Sequence, residues 1–340
     1  MKAVVFRGLR DVTTEEVEKP KAGPMEILVK VKACGICGSD LHTYKLGLFP
    51  EITKAVPQGR IPGHEFSGDV VEVGPGVEGI TVGDRVTALA MGAMAEYVIV
   101  TPAFLNFTVY KLPPEIGYEE SATVEPLATS LRATKAGTPG SGEQVVIFGA
   151  GIIGLGIIQC LKALKVDFKK LIVVDLSAKR LEMARQLGAT DIIDARNVDS
   201  VEKITELAGQ VPMALVPTVQ VPAVDLVYDA VGYIKDNPAP PAIEKALAVV
   251  REAGRIVVVG AYEGPVTVDL MPLMGKSVKV FGSLGYKIPE EVIEALEILR
   301  AGKVDRKILI SHEFPLEKAK EAFETQLRAG ESVKVIFTMR

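Results

Sequence analysis

The sequence predicts an α/β fold in which a doubly wound parallel sheet accompanies a separate β-rich domain. From about residue 128 to residue 285 strands and helices alternate, with one complete strand–helix–strand unit at residues 145–175. Residues 1–127 instead contain short strands separated by glycine-rich turns, which is typical of a barrel or sandwich. A chain of 340 residues has room for two domains with their own cores.

A glycine-rich turn organises the strand–helix–strand unit. The apolar residues 145–148 are typical of a buried parallel strand, residues 152–164 of a crossover helix, and residues 171–175 of a second strand that ends in an acid. The order of these elements is the context that a G-x-G-x-x-G pattern needs. We therefore expect a dinucleotide site at this turn; the alternative is a plain turn followed by an acidic strand end.

Each predicted dinucleotide contact has a physical role. Gly149 permits the turn, Gly151 lets the backbone approach a pyrophosphate, and Gly154 lets helix and strand pack closely. The helix N-terminus offers unpaired N–H groups, and Asp175 can accept both ribose hydroxyls of an adenosine. The full predicted set is Gly149, Gly151, Ile152, Ile153, Gly154, Asp175 and Arg180.

The remaining elements follow in chain order. Strands are predicted at residues 1–7, 26–31, 66–73 and 85–89 of the first domain, and at residues 191–193, 224–229, 255–260 and 278–282 of the second. Helices are predicted at residues 178–187 and 242–251. The tail contains a helix at residues 289–300, a strand near Ile308, a helix at residues 316–327 and a strand at residues 332–338, and we expect it to pack on the first domain.

The segment of residues 209–222 does not fit this alternation. It carries prolines at positions 212, 217 and 222 among apolar residues, which predicts a surface loop. A cover over a ligand cleft or an oligomer contact is the alternative interpretation.

Charge and cysteine content exclude several classes of protein. A net charge of −4 gives no basic stripe for nucleic acid or an anionic membrane. The N-terminus has no apolar signal core, and no window reaches about 18 apolar residues, so we expect a cytoplasmic protein. Three cysteines do not make a disulfide framework.

Four side chains have the chemistry of a catalytic zinc site, which typically takes three protein ligands and leaves a fourth position open. They are Cys37, His64, Glu65 and Glu125. Their spacing is too wide to prove that they meet. One alternative is that Glu125 is only a solvated acid at a helix start. Another is that Cys34 and Cys37 form a redox pair, which is disfavoured because the cysteines follow a strand in a β-rich region.

Several motifs in this order resemble the zinc-dependent medium-chain dehydrogenase/reductase family. They are C-G-I-C-G-S-D-L-H at residues 34–42, Gly63-His64-Glu65, V-G-D-R-V at residues 82–86, Glu125-Pro126-Leu127 and the glycine-rich turn. The resemblance covers nearly the whole chain and is strongest to the sorbitol, butanediol and threonine dehydrogenase branch. It implies a GroES-like β-barrel catalytic domain at residues 1–127, completed by residues 286–340, and a Rossmann domain at residues 128–285, with the active site in the cleft between them.

The resemblance also implies roles for individual residues. Cys37, and not Cys34, and His64 would be zinc ligands, and the remaining ligand position is divided between Glu65 and Glu125. Ser39 would contact the substrate hydroxyl, and His42 would pass its proton to solvent, so the catalytic set is Ser39, His42 and Glu65.

One departure from the family concerns the metal content. The four-cysteine lobe that binds a second, structural zinc in many members is missing after residue 86, so we expect one catalytic zinc per chain and Met91 and Met94 near the domain surface. The resemblance also implies pairing through the outer strand of the Rossmann sheet, here the apolar residues 278–281, which would give a homodimer or homotetramer.

The sequence therefore predicts an oxidoreductase that transfers a hydride between NAD and a zinc-bound secondary alcohol or polyol. The alternatives are a zinc-free quinone or enoyl reductase of the same superfamily and a non-catalytic dinucleotide-binding protein. Residues 44–60 and 284–287 are expected to border the substrate cleft, but their side chains do not identify which alcohol, sugar or hydroxyacyl-CoA is used.

Overall fold

The computed structural model describes residues 1–47, 59–235 and 239–339. Contacts divide the chain into two compact units, one formed by Met1–Ala128 with Lys287–Arg340 and the other by Thr129–Tyr286. Each unit has its own sheet and its own apolar core. Within the described ranges, no helix combines the length and the apolar character that crossing a membrane requires.

Helices and strands succeed one another along the chain as follows. The first unit begins with β1 (Lys2–Gly8), β2 (Asp11–Glu16), β3 (Ile27–Gly35), α1 (Gly38–Leu46), β4 (Glu65–Val73), β5 (Arg85–Ala88), β6 (Tyr97–Val100), β7 (Val109–Lys111), α2 (Tyr118–Ser121) and α3 (Val124–Ala136). There follow β8 (Gln144–Phe148), α4 (Ile152–Ala163), β9 (Lys170–Asp175), α5 (Ala178–Leu187), β10 (Asp191–Asp194), α6 (Ser200–Ala208), β11 (Gln210–Pro212), β12 (Gln220–Pro222), β13 (Val224–Asp229), α7 (Ala242–Val249), β14 (Val250–Val258), α8 (Met271–Gly275) and β15 (Lys279–Gly282). The chain then continues with α9 (Glu290–Arg300), β16 (Ile310–Phe314), α10 (Ala319–Leu327) and β17 (Lys334–Thr338).

The main sheet of the first unit has the strand order β16-β17-β3-β4-β5-β7, and β6 also pairs with β3. Strand β3 lies in the interior of this sheet, and its apolar side chains, including Ile27, Val29 and Val31, are fully buried, as expected for apolar β-branched residues in a central strand. Strand β17 pairs antiparallel with β3, so the carboxy-terminal segment joins the sheet that the amino-terminal segment begins.

The register of this sheet brings together residues that are distant in the sequence. Gly35, the last residue of β3, is opposite Glu65 of β4 on one side and Ile336 of β17 on the other. Helix α1 begins three residues after Gly35. The end of β3, the start of α1 and the start of β4 therefore lie side by side.

The second unit contains the predicted doubly wound sheet. Its strand order is β10-β9-β8-β13-β14-β15, and every pairing along it is parallel. Strands β8 and β13, on either side of the point where the strand order reverses, are almost completely buried. The predicted α/β fold class is confirmed.

Residues 209–222 are not simply the predicted loop. Strands β11 and β12 pair antiparallel in a two-stranded ribbon, with Val211 opposite Val221. Pro212 and Pro222 are each the last residue of a strand, so the N–H group that each lacks breaks no hydrogen bond inside a longer strand pair. The prolines are therefore compatible with short strands in this segment.

The strand predicted near Ile308 is present and begins slightly later, at Ile310. Residues Lys307–Leu309 form a 3₁₀ turn, and β16 begins only at Ile310. The turn forms because the Asp305 side chain accepts the backbone N–H groups of Lys307 and Ile308, at 3.0 and 3.3 Å. Helix α6 was not predicted; the Asp199 side chain caps it.

Met91 and Met94 differ in environment although both were expected near the surface. Met91 is 52% exposed, as expected, but Met94 is completely buried, so the prediction is wrong for Met94. Its backbone N–H donates to the Pro62 carbonyl at 3.0 Å, and its carbonyl accepts the Val4 N–H at 2.8 Å. These two bonds hold the Met94 segment against the core.

Strand β15 forms the outer edge of the parallel sheet. Val280 and Phe281 on this strand are 43% and 38% exposed. The predicted apolar edge is therefore present in the isolated chain.

Candidate active site

Three of the predicted metal ligands meet at the end of β3. One ligand atom from each of Cys37, His64 and Glu65 lies within 4.8 Å of the other two. Cys37 is the N-cap of α1, His64 immediately precedes β4, and Glu65 begins it. The cluster thus consists of one thiol, one imidazole and one carboxylate, all held by the first unit.

Gly63 is required by the packing beneath this cluster. Its φ is 95°, in the left-handed region, and a β-carbon there would lie 2.7 Å from Met94 Cγ and 2.9 Å from Cys34 Sγ. The glycine of the G-H-E motif therefore lets the chain turn into β4 with His64 correctly placed. Cys34 packs below the turn and is not in the cluster.

The cluster and its surroundings bring several acidic groups close together, and this changes their pKa values. Burial and the charge of Glu65 raise the pKa of the Cys37 thiol, although His64 opposes this rise. Burial raises the pKa of Glu125 to about 7, with Glu65 adding to the effect and His64 and Lys334 opposing it. Burial disfavours the charged ring of His64, but the negative groups around it raise its pKa well above the usual range. A divalent cation would relieve this repulsion.

Glu125 stands close enough to influence His64 and Glu65 but lies outside the three-atom cluster. It is the second residue of α3 and is partly buried. The geometry thus favours Glu65 as the third ligand and leaves Glu125 as a neighbouring carboxylate.

The donor set suits zinc. Sulfur, nitrogen and oxygen ligands in this number match a catalytic zinc site with an open position. His64 Nδ1 is buried, and no hydrogen-bond partner for it occurs in the described part of the chain. Cys37, His64 and Glu65 would therefore hold the ion.

Asp40 is a site residue that the sequence motifs did not reveal. Its buried carboxylate accepts the Cys37 N–H at 3.0 Å and contributes to the raised pKa of His64. The signal was available, because Asp40 is three residues after the N-cap Cys37, where an acid caps a helix start.

Lys334 is the second missed residue. Its ammonium forms an ion pair with Glu65, and both side chains are only 1% exposed. No local signal in the sequence indicates this pair, since the two residues belong to strands at opposite ends of the chain.

The predicted proton path lies on α1. Ser39 and His42 are half-buried and are three residues apart, so they share one face of the helix. Their catalytic roles stay predictions. Tyr44, expected at the substrate cleft, is fully buried and donates to Glu324 at 2.7 Å, while residues 48–58 of the same expected border lie outside the described residues.

The glycine-rich turn connects β8 to α4 as predicted. Gly149 has a φ of 95°, and Gly151 is the N-cap of α4, so Ile152 and Ile153 are its first helical residues. The first N–H groups of a helix have no partner within it. The turn thus offers the donors that a pyrophosphate needs.

Asp175 organises this turn from the end of β9. Its carboxylate accepts the Ala150 N–H at 2.6 Å and the Ser177 N–H at 2.8 Å. The Arg180 guanidinium lies close to the same turn, 3.9 Å from the position that a β-carbon on Gly151 would take. Burial lowers the pKa of Arg180, and the charge of Asp175 partly offsets this lowering. Asp175 and Arg180 therefore stand together beside the predicted pyrophosphate position.

Comparison with known proteins places both units in one family. Residues 23–114 match the alcohol dehydrogenase GroES-like domain, and residues 153–301 match the zinc-binding dehydrogenase domain. An L-threonine 3-dehydrogenase from Pyrococcus horikoshii is 33% identical, with 96% of this chain and 94% of that protein covered. A sorbitol dehydrogenase from Arabidopsis thaliana is 31% identical, with 98% and 93% covered.

A solved structure supports the same comparison. An alcohol dehydrogenase from Escherichia coli, complexed with NADH, has a TM-score of 0.82 and is 27% identical, covering 100% of this chain and 99% of that one.

Proposed function

Because the chain belongs to the family of zinc-binding dehydrogenases with an alcohol dehydrogenase GroES-like domain, we propose that it is a zinc-dependent, NAD-linked dehydrogenase of secondary alcohols or polyols. The observation that carries the proposal is the convergence of Cys37, His64 and Glu65 within 4.8 Å. The reaction is hydride transfer between the alcohol carbon and the nicotinamide ring.

The metal supplies one part of the chemistry: bound zinc lowers the pKa of a hydroxyl by several units, from about 16 to about 7 for water. Cys37, His64 and Glu65 would hold the ion and would leave a position open for substrate. Ser39 orients the alcohol hydroxyl, and His42 accepts its proton and releases it to solvent. Such general-base assistance typically contributes about 10²–10⁴-fold to the rate.

The second unit binds the coenzyme. Backbone N–H groups at Gly151, Ile152 and Ile153 receive the pyrophosphate at the start of α4. Asp175 accepts the hydroxyls of the adenosine ribose, which favours NAD over NADP. We propose one zinc per chain, because the chain has only three cysteines and lacks the four-cysteine lobe.

A zinc-free reductase of the same superfamily is the weaker alternative, since such an enzyme would not need the cluster of Cys37, His64 and Glu65. A non-catalytic dinucleotide-binding protein would not require the cluster either. We further propose a homodimer or homotetramer in a reducing compartment such as the cytoplasm, where Cys37 stays available as a thiolate ligand.

The experiment combines metal analysis with turnover. Zinc-loaded protein would be mixed with NAD and a panel of secondary alcohols, polyols, L-threonine and hydroxyacyl-CoA thioesters, and NADH formation followed by absorbance. We expect NADH with at least one class of secondary alcohol and none with the metal-free protein. NADH formation that is unaffected by removal of zinc would refute the proposed mechanism.

A further inference from the structure

The buried ion pair between Lys334 and Glu65 links the last strand of the first unit to the cluster of candidate metal ligands. Lys334 Nζ meets Glu65 Oε2 and also donates to the Ile36 carbonyl at 2.8 Å. Both side chains are 1% exposed, so bulk solvent does little to balance their charges. The ammonium is thus held by the same segment that carries Cys37.

The backbone makes room for this lysine. Gly35 lies between the two strands that carry the pair, and a β-carbon there would stand 2.7 Å from Lys334 Cε and overlap the Glu65 carboxylate. Only glycine at position 35 lets Lys334 reach across β3 to Glu65. The glycine of the C-G-x-C motif is therefore explained by the ion pair.

A buried ion pair is not in itself a source of net stability. Apolar residues of similar volume often stabilise a fold as well, whereas removing one partner leaves an uncompensated charge. The position of this pair points to a different purpose, because Cys37, Asp40 and Glu125 place further acidic groups near it.

We propose that Lys334 is a positioning residue of the zinc site. Its ammonium is a fixed counter-cation that holds Glu65 in place in the metal-free protein and lowers the affinity of the site for zinc. This inference rests on the proposed function. The metal-free protein keeps its fold because Glu65 already has a cation beside it. Glu65 would share its charge between Lys334 and a zinc ion, which would lower the affinity of the site for zinc.

The test uses Lys334→Met, which removes the charge and keeps the side-chain length. Lys276→Met is the matched control, because Lys276 is also buried but, among the residues that the structure describes, donates to the carbonyls of Leu247, Ala248 and Val250 and pairs with no acid. For each protein, melting temperatures are measured with and without zinc, and the zinc dissociation constant is measured against a chromophoric chelator.

We expect Lys334→Met to lower the melting temperature strongly without zinc and by less than half as much with zinc. Since the stability that a bound ligand adds grows with the logarithm of its affinity, a smaller loss with zinc means that zinc binds this variant more tightly, by at least about tenfold. Lys276→Met should lower both melting temperatures equally and leave the zinc dissociation constant within about twofold of the wild-type value.

A second variant keeps the proposal testable if Lys334→Met does not fold without metal. The double variant Lys334→Met/Glu65→Gln leaves no unpaired charge and should fold without zinc; its failure to fold would overturn the inference. Equal losses of stability with and without zinc, at the wild-type affinity, would show that Lys334 is only structural. A wild-type protein that takes up no zinc would overturn the proposed function, and the inference with it.

Discussion

Gly154 packs directly against the backbone of Gly149, so that a β-carbon at position 154 would overlap the Gly149 carbonyl oxygen and lie 3.3 Å from Ile147 Cγ2. At Gly151 the nearest such atom is Arg180 Nη1, 3.9 Å away. The two glycines of the same motif therefore serve different purposes: Gly154 permits packing, and Gly151 leaves open space.

This difference predicts different effects of the same substitution. Gly154→Ala should destabilise the protein by about 1–3 kcal/mol through overpacking, despite the better helix propensity of alanine. Gly151→Ala should keep the wild-type melting temperature but weaken NADH binding at least about tenfold, because its methyl group occupies the space that a pyrophosphate approaches. Calorimetric melting and titration with NADH measure both effects. A Gly154→Ala protein as stable as wild type would contradict the packing argument.

Zinc content tests the assignment of Cys37. Elemental analysis should find about one zinc per chain in the wild-type protein, and Cys37→Ala should abolish tight zinc binding. Cys34→Ala is the matched control, since Cys34 is buried beneath Gly63 and is not in the ligand cluster; it should keep its zinc. Two tightly bound zinc ions per chain would exclude the single-site proposal.

Turnover as a function of pH tests His42. His42→Ala should lower kcat by about one to a few orders of magnitude at neutral pH and recover part of it at higher pH, where hydroxide takes up the proton. Zinc content should not change. If kcat stays at the wild-type value across the pH range, His42 is not part of the proton path.

The exposed edge of β15 predicts the assembly state. Val280→Glu should convert the expected homodimer or homotetramer into smaller species, because it places a charge on an apolar edge strand. Leu215→Glu is the control: Leu215 is 85% exposed in the turn of the β11–β12 ribbon, away from that edge strand in the sequence. Light scattering gives the masses. A monomeric wild-type protein at micromolar concentration, or dissociation by Leu215→Glu instead, would place the interface elsewhere.

Coenzyme choice tests Asp175. A 2′-phosphate would bring like charge against this carboxylate, at a cost of several kcal/mol, so kcat/KM for NAD should exceed that for NADP at least about a hundredfold. Asp175→Ser should narrow the gap chiefly by improving NADP, since Arg180 stands nearby. Adding Arg180→Ala should remove that gain. Equal use of both coenzymes by the wild-type protein would show that Asp175 does not face the ribose.

Local patterns explain what was predictable. Helix α5 was predicted with its exact bounds, and the glycine-rich turn was placed correctly, because their signals lie within a few neighbouring residues. The ligand types Cys37, His64 and Glu65 were also recognised from motifs. Their meeting depends on the register between β3 and β4, which no local pattern specifies.

What was missed depends on contacts between distant segments or on short capping interactions. Lys334 and Ile36 are 298 positions apart, so only the pairing of β17 with β3 brings them together. Met94 was expected at the surface because the absent lobe suggested an open segment, but its backbone bonds bury it. The strand predicted near Ile308 begins only at Ile310, because the Asp305 bonds that form the 3₁₀ turn at Lys307–Leu309 leave no sign in the apolar residues there.

Synthesis on the ribosome delivers the parts of this protein in an order that differs from their order of assembly. Thr129–Tyr286 is one continuous segment, so the coenzyme unit can fold as soon as it has emerged. The end of β3 at Ala33, Cys34 and Gly35 must wait for β17, and until then this part of its edge is open to pairing with other chains. The segments that carry Cys37, His64 and Glu65 are translated early, but Lys334 on β17 comes last, so a nascent chain interrupted before β17 should hold a folded second unit beside an aggregation-prone, incomplete first unit.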